Sequence, residues 1–145
     1  GFLPLAGEPG RVLQDVVSLS ALTQRLEAAG MPVAGLDPTE PFPVACASSL
    51  SGWLNEASSA LVPAVTAVNC LLNPAAILLG GRLPDEVLDR LADETHRKMT
   101  AAAATIPASA PIRRATLSRD APAVGAAILP FLDRMLPSDA ILIKS

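Results

Sequence analysis

Between residues 44 and 72 the apolar positions recur at steps of three and four. Leu50, Leu54, Ala57, Leu61, Val65, Val68 and Leu72 therefore fall on one stripe of a long helix, with Trp53 flanking it. Pro63 lies inside the run and predicts a kink or a break in two, because it has no N–H and its ring crowds the preceding turn. Asn73-Pro74 ends the pattern. A shorter helix is predicted upstream, with Ser18 or Ser20 as its cap and Leu19, Leu22 and Leu26 as its apolar face. Gly30 followed by Pro32 stops it. Residues 31–43 contain Pro32, Pro38, Pro41 and Pro43 and read as a surface connection.

Ala75–Leu79 is short and wholly apolar, as a buried strand of a parallel sheet would be. Pro84-Asp85-Glu86 starts another helix, with proline in its first turn and two acids where the helix dipole favours negative charge. Val87, Leu88, Leu91 and Ala92 form its inner face to about Ala103, and Pro107 and Pro111 end it. Ile112–Leu117 alternates apolar and basic residues and predicts an exposed edge strand. Ser118 or Asp120 caps a last helix, whose small face is Ala123, Gly125, Ala126 and Ala127 and which runs to about Met135. "AILIK" in the tail, within Asp139–Ser145, reads as a short strand, and residues 1–16 read as strand or loop. Strands alternating with helices predict an α/β layer architecture. So few short strands make a poor free-standing sheet, which points to a missing half.

Composition narrows the function. The 145 residues suit about one domain, half of them are hydrophobic and the mean hydropathy is +0.41. With aromatics at 3% and no tyrosine, the core must be aliphatic and alanine-rich. A net charge of −3 excludes a nucleic-acid surface on this segment, since phosphate binding needs clustered Lys and Arg. Arg113, Arg114 and Arg119 are the one basic cluster, and they read as charge guarding a sheet edge. Cys46 and Cys70 both lie in apolar helical sequence and read as small buried residues. The single histidine, His96, reads as a solvated side chain and offers no paired-ligand zinc spacing. The acidic residues read as solvated charges on outward faces and caps, and the serines of residues 48–59 have no nearby histidine to activate them. No apolar run is long enough for a membrane span. Gly1-Phe2-Leu3-Pro4 is neither an initiator methionine nor a basic signal-peptide start, so the chain reads as part of a longer cytoplasmic protein.

The stretch "LNPAAILLGGRL" raises the main functional question. In open α/β sheets ligands sit beyond the carboxyl ends of strands, and glycine there allows close backbone approach or positive φ. Gly80 and Gly81 occupy that position, without the spacing of a phosphate cradle. Asp85 and Glu86 would repel a phosphate at the following helix, so a neutral ring or ribose edge is the better guest. A tight turn with no ligand is the alternative.

The same stretch resembles the adenosine-side motif of the ROK family (repressors, unknown open reading frames and sugar kinases), L-N-P-x-x-I-x-x-G-G-x-L. "ATLSRDAPAVGAAILPF" is similar to that family's closing segment, with its G-A-A-bearing helix. The resemblance covers about residues 1–136. It implies a ribonuclease-H-like, actin-type ATPase fold, with this chain as the second part of the C-terminal lobe. Within it, 1–16 would be the sugar and zinc segment, 17–43 a helix and linker, 44–136 the core motifs and 137–145 a tail.

ROK sugar kinases carry G-H-x-x-x and then a cysteine-rich zinc loop ending in G-C-x-E. Here Gly1-Phe2-Leu3-Pro4-Leu5 looks like the first, with Phe2 in the place of histidine, and Val12-Leu13-Gln14 looks like C-L-E. The loop between, "AGEPGR", has no cysteine, so zinc is not expected and the sugar-holding acid is replaced by neutral Gln14. The family's catalytic aspartate and phosphate loops belong to the other lobe, so no catalytic residue is expected here. The resemblance implies the effector-binding and oligomerisation domain of a transcriptional repressor that senses a sugar or related molecule. Such a protein would be a homo-oligomer that reaches DNA only through a domain outside this chain. The alternatives are a lobe of an ATP-dependent sugar kinase, with adenine against Gly80 and Gly81, and a purely structural interaction module.

Overall fold

In the computed structural model of the chain, the structure describes residues 2–5, 7–31, 42–102, 109–116 and 121–135. Most of the proline-rich connection, Ser118, Arg119, Asp120 and the tail strand within Asp139–Ser145 lie outside them. The elements are α1 (Leu19–Ala28), α2 (Ala47–Leu72), β1 (Ile77–Leu79), α3 (Asp85–Ala102), β2 (Ile112–Arg114) and α4 (Ala121–Met135), with single 3-10 turns at Leu13–Asp15 and Val44–Cys46. The chain is α/β, mostly helical. No helix among the described residues is long and apolar enough to cross a membrane.

Helix α1 begins at Ser18, whose Oγ accepts from the Ala21 N–H at 3.1 Å and satisfies one of the helix's orphan donors. Helix α2 is the spine. Leu50, Trp53, Leu54, Ala57, Leu61 and Val65 are buried on it, and they meet Leu22 and Leu26 of α1 and Val87, Leu88, Leu91 and Met99 of α3 in one core. Each leucine withdrawn from water in this way contributes about 1.5–3 kcal/mol.

Two expectations for α2 need correction, and one of the two alternatives at Pro63 is removed. The helix runs unbroken through Pro63 instead of dividing, because Leu61 and Val65 on either side are both held in the core. The turn before the proline is also pinned from α3, where Lys98 Nζ donates to Asn55 O, Asn55 Oδ1 and Ser59 Oγ. The buried stripe ends early, with Val68 and Leu72 exposed and Asn69 buried instead. Cys70, next to Asn69, is exposed, whereas Cys46 is buried as expected. Asn69 earns its burial by accepting from the Ala110 N–H through Oδ1 at 2.9 Å, which ties the approach to β2 onto α2.

Asn73 stops α2 in the left-handed region, φ 43°, which asparagine tolerates better than most residues. The two strands then pair in parallel, Ile77 with Ile112, Leu78 with Arg113 and Leu79 with Arg114. Their inner face, Ile77, Leu79 and Ile112, packs on the core, while Leu78 and Arg113 point outward and are exposed. Helix α3 starts after Pro84, whose carbonyl accepts from the Leu88 N–H at 3.0 Å. Its predicted inner face, Val87, Leu88, Leu91 and Ala92, is buried. In α4 the expected small face carries no core contact: Ala123, Gly125, Ala126 and Ala127 are exposed, as are Ile128, Leu129 and Phe131.

Candidate functional site

Parallel pairing puts the carboxyl ends of β1 and β2 at one edge. Gly80 leaves β1 there, Ala115 leaves β2 there, and the turn Gly80–Pro84 leads into α3. Both glycines are exposed. Gly81 has φ +150°, a conformation that side-chain-bearing residues rarely adopt. A Cβ built there would meet nothing within 4 Å, so the backbone conformation requires glycine and the space beside it is open.

The acids at the start of α3 are solvated, as expected, and they are also engaged in pairs. Arg114 Nη1 lies 3.2 Å from Asp85 Oδ2, and Arg114 Nε lies 3.1 Å from Asp89 Oδ1. Glu86 Oε2 accepts from the Phe42 N–H at 3.1 Å, and its other oxygen lies 3.9 Å from Arg90. Arg114 is therefore turned to the inner side of the sheet; of the expected basic cluster, Arg113 alone is seen facing solvent. The positive end of α3 is occupied by carboxylates of its own chain, which leaves the turn better suited to a neutral guest than to a phosphate.

The N-terminal segment forms a small ribbon. Pro4 and Val12 bridge in antiparallel fashion, Leu5 N donates to Arg11 O at 3.0 Å and Leu13 N to Leu3 O at 2.7 Å. Gly7 and Gly10, at φ +80° and +85°, turn it, and Arg11 pairs with Glu8 across the turn. The ribbon docks on α2 through Trp53, whose Nε1–H donates to Val16 O at 3.0 Å. A cleft of about 280 Å³ lies between them, lined by Leu5, Leu13, Glu56, Ser59 and Pro63 among others. Gln14 sits in the 3-10 turn with its side chain exposed and does not line this cleft; Phe2 is 87% exposed. Neither glycine lines the cleft, so Gln14 and the glycine pair are not brought into one pocket there.

A second groove, about 400 Å³, runs between α2 and α3 and is lined by Ser51, Asn55, Arg90, Asp93, Glu94 and Arg97. The hydrogen bond from Arg97 holds the Glu94 carboxyl below the usual carboxylate range. Burial opposes that shift, and the charges of Arg97 and Lys98 reinforce it. His96 corrects another expectation: it is partly buried, and its Nδ1 is buried without a hydrogen-bond partner. Among the described residues no three His, Cys, Asp or Glu side chains gather as a metal site requires.

No family model matches the chain. It is 30% identical over 110 residues to the uncharacterized protein y4fQ of Sinorhizobium fredii. The matched stretch is 76% of this chain and 28% of that protein, so the chain spans well under a third of the relative's length.

Sequence reasoning located the glycine turn but missed Arg114 and Asn69. Asn69 left a signal, a polar residue four positions after Val65 on the apolar stripe. Arg114 left none, since its partners are 25 and 29 residues away along the chain and only the parallel pairing brings them together.

Proposed function

We propose that this chain is part of the effector-binding and oligomerisation domain of a ROK-type transcriptional regulator, within a ribonuclease-H-like lobe. The observation that carries the reading is the glycine turn. It lies at the shared carboxyl edge of a parallel strand pair and opens onto solvent, where open α/β sheets receive ligands. The L-N-P-x-x-I-x-x-G-G-x-L resemblance and the short ribbon bearing Phe2 and Gln14 add to it. An amide in the place of a carboxylate grips a sugar hydroxyl less strongly, which suits sensing better than phosphorylation.

In this reading the effector is a sugar or a related small molecule, and ATP belongs to the whole protein if it binds at all. Zinc has no part in it. The relative's length leaves room for a second lobe and a DNA-reading head, which would make the contact with DNA in the cytoplasm. The exposed Leu78, Ile128, Leu129 and Phe131 would be covered by those parts or by a second subunit. Effector binding would act by favouring one arrangement of lobes or subunits over another.

The test is calorimetric titration of the whole polypeptide with glucose, N-acetylglucosamine and other neutral sugars, alongside an ADP-release assay with ATP. Saturable sugar binding without sugar-dependent ADP release is the expected result. Sugar-dependent ADP release would replace the regulator with a sugar kinase, and no sugar binding at all would overturn both.

A further inference from the structure

Two facts about β2 converge on the glycine turn. The Ala115 N–H donates to Leu79 O at 2.8 Å, fixing the point where the chain leaves β1. One residue earlier, Arg114 bridges Asp85 and Asp89, fixing the point where the chain enters α3. The end of β2 thus holds both ends of the segment that contains Gly80 and Gly81.

We propose that Arg114 is the positioning residue of this turn: its guanidinium, forked between Asp85 and Asp89, sets the conformation that the two glycines present to a ligand. The turn's role as an adenosine contact rests on the ROK-type reading proposed above and its adenosine-side motif; the bracing does not. Asp85 and Asp89 are one helical turn apart on the same face of α3, so a cation seated between them resists both sliding and rotation of the helix. The turn cannot supply that resistance itself. Gly81 has no side chain and no neighbour within 4 Å of where a Cβ would stand, so little within the turn limits its motion. Leu83 and Pro84 are buried, which anchors the far end and leaves Gly80, Gly81 and Arg82 as the exposed span. A turn held at both ends in its bound shape loses less freedom when a ligand arrives, and affinity gains accordingly.

Arg113 supplies the control. It carries the same charge on the adjacent residue of β2 but faces outward, away from α3. The experiment is amide hydrogen exchange on the full chain and on the Arg114→Ala, Arg114→Lys and Arg113→Ala variants, read at Leu88 and Ala115, whose N–H groups are bonded to Pro84 O and Leu79 O at the two ends of the turn, and, for comparison, within α1 and α2. Adenosine titration of the same four proteins accompanies it. Arg114→Ala should speed exchange at Leu88 and Ala115 by about fivefold or more while α1 and α2 keep their protection. Arg114→Lys should fall between, because an ammonium is a point charge without the planar fork. Arg113→Ala should match the parent.

Unchanged exchange at Leu88 and Ala115 in Arg114→Ala overturns the proposal, and so does a uniform rise across all helices, which would make the ion pairs general stabilisers only. If adenosine binds the parent, Arg114→Ala should weaken it several-fold, and equal affinity overturns the proposal. If adenosine does not bind while the turn responds to Arg114, the bracing stands and the nucleoside reading of Gly80 and Gly81 falls.

Discussion

Replacing Trp53 with phenylalanine tests whether the N-terminal ribbon is a fixed part of the molecule. Trp53 is 2% exposed, and its indole N–H is bonded to the carbonyl of Val16, itself 4% exposed. Phenylalanine keeps an aromatic ring in the core but removes the donor. A buried carbonyl left without its partner costs about 1–3 kcal/mol. The smaller ring leaves a partial void that adds on the order of 1 kcal/mol. The expected loss is therefore about 2–4 kcal/mol, a large share of the roughly 5–15 kcal/mol that stabilises a domain of this size. In thermal unfolding this corresponds to a fall of roughly 5–15 °C. Urea unfolding followed by far-UV circular dichroism is the assay, because the variant lacks the chain's single tryptophan as a fluorophore. Limited proteolysis should cut the variant first within residues 7–17. A loss below about 0.5 kcal/mol, with the ribbon still protected, would show that the indole bond does not dock it.

Gly52→Ala should stabilise the chain. A Cβ there comes within 3.0 Å of an Arg25 guanidinium nitrogen, the far end of a flexible side chain that can yield, and alanine gains about 0.5–1 kcal/mol in a helix interior. Its pair with Glu56 is exposed and costs little to disturb, so a drop in denaturation midpoint would refute this. Glu94 gives a pH prediction. Its folded pKa is depressed by Arg97, so its stabilising contribution is complete above the ordinary glutamate value of about 4.3 and is lost as pH falls through the lower folded value. Arg97→Gln should raise the Glu94 titration midpoint in carboxyl NMR; an unmoved midpoint would deny the pair its role.

What could be read along the chain was whatever depends on near neighbours. Ser18 caps α1, Pro84 opens α3, and the i, i+3, i+4 spacing of Val87, Leu88, Leu91 and Ala92 gives α3's inner face; each follows from residues within one or two turns. Gly80 and Gly81 were legible for the same reason, as a turn between a short apolar run and a helix start. Pro63 left a kink and a break both open, and the break is avoided because its local penalty is outweighed by Leu61, Val65 and the Lys98 contacts, which come from across the fold. His96 misled because Ala92 and Met99, four residues before it and three after it on the helix, are buried and draw its ring toward the core. Gln14 was placed by resemblance, and its exposed position outside the 280 Å³ cleft could come only from the way the ribbon lies on α2.

The parallel pairing of β1 with β2 has a consequence for the order of assembly. Helices α2 and α3 also meet across long stretches of chain, but they bury a wide apolar face in doing so, whereas joining Ile77 to Ile112 closes a loop of more than thirty residues for a ribbon only three residues long. Chain closure of that kind is slow, and so short a ribbon repays it late. The helical pair should therefore come together first and the strand edge last, with the reverse order on opening. The region that would greet a guest is then also the one most readily undone.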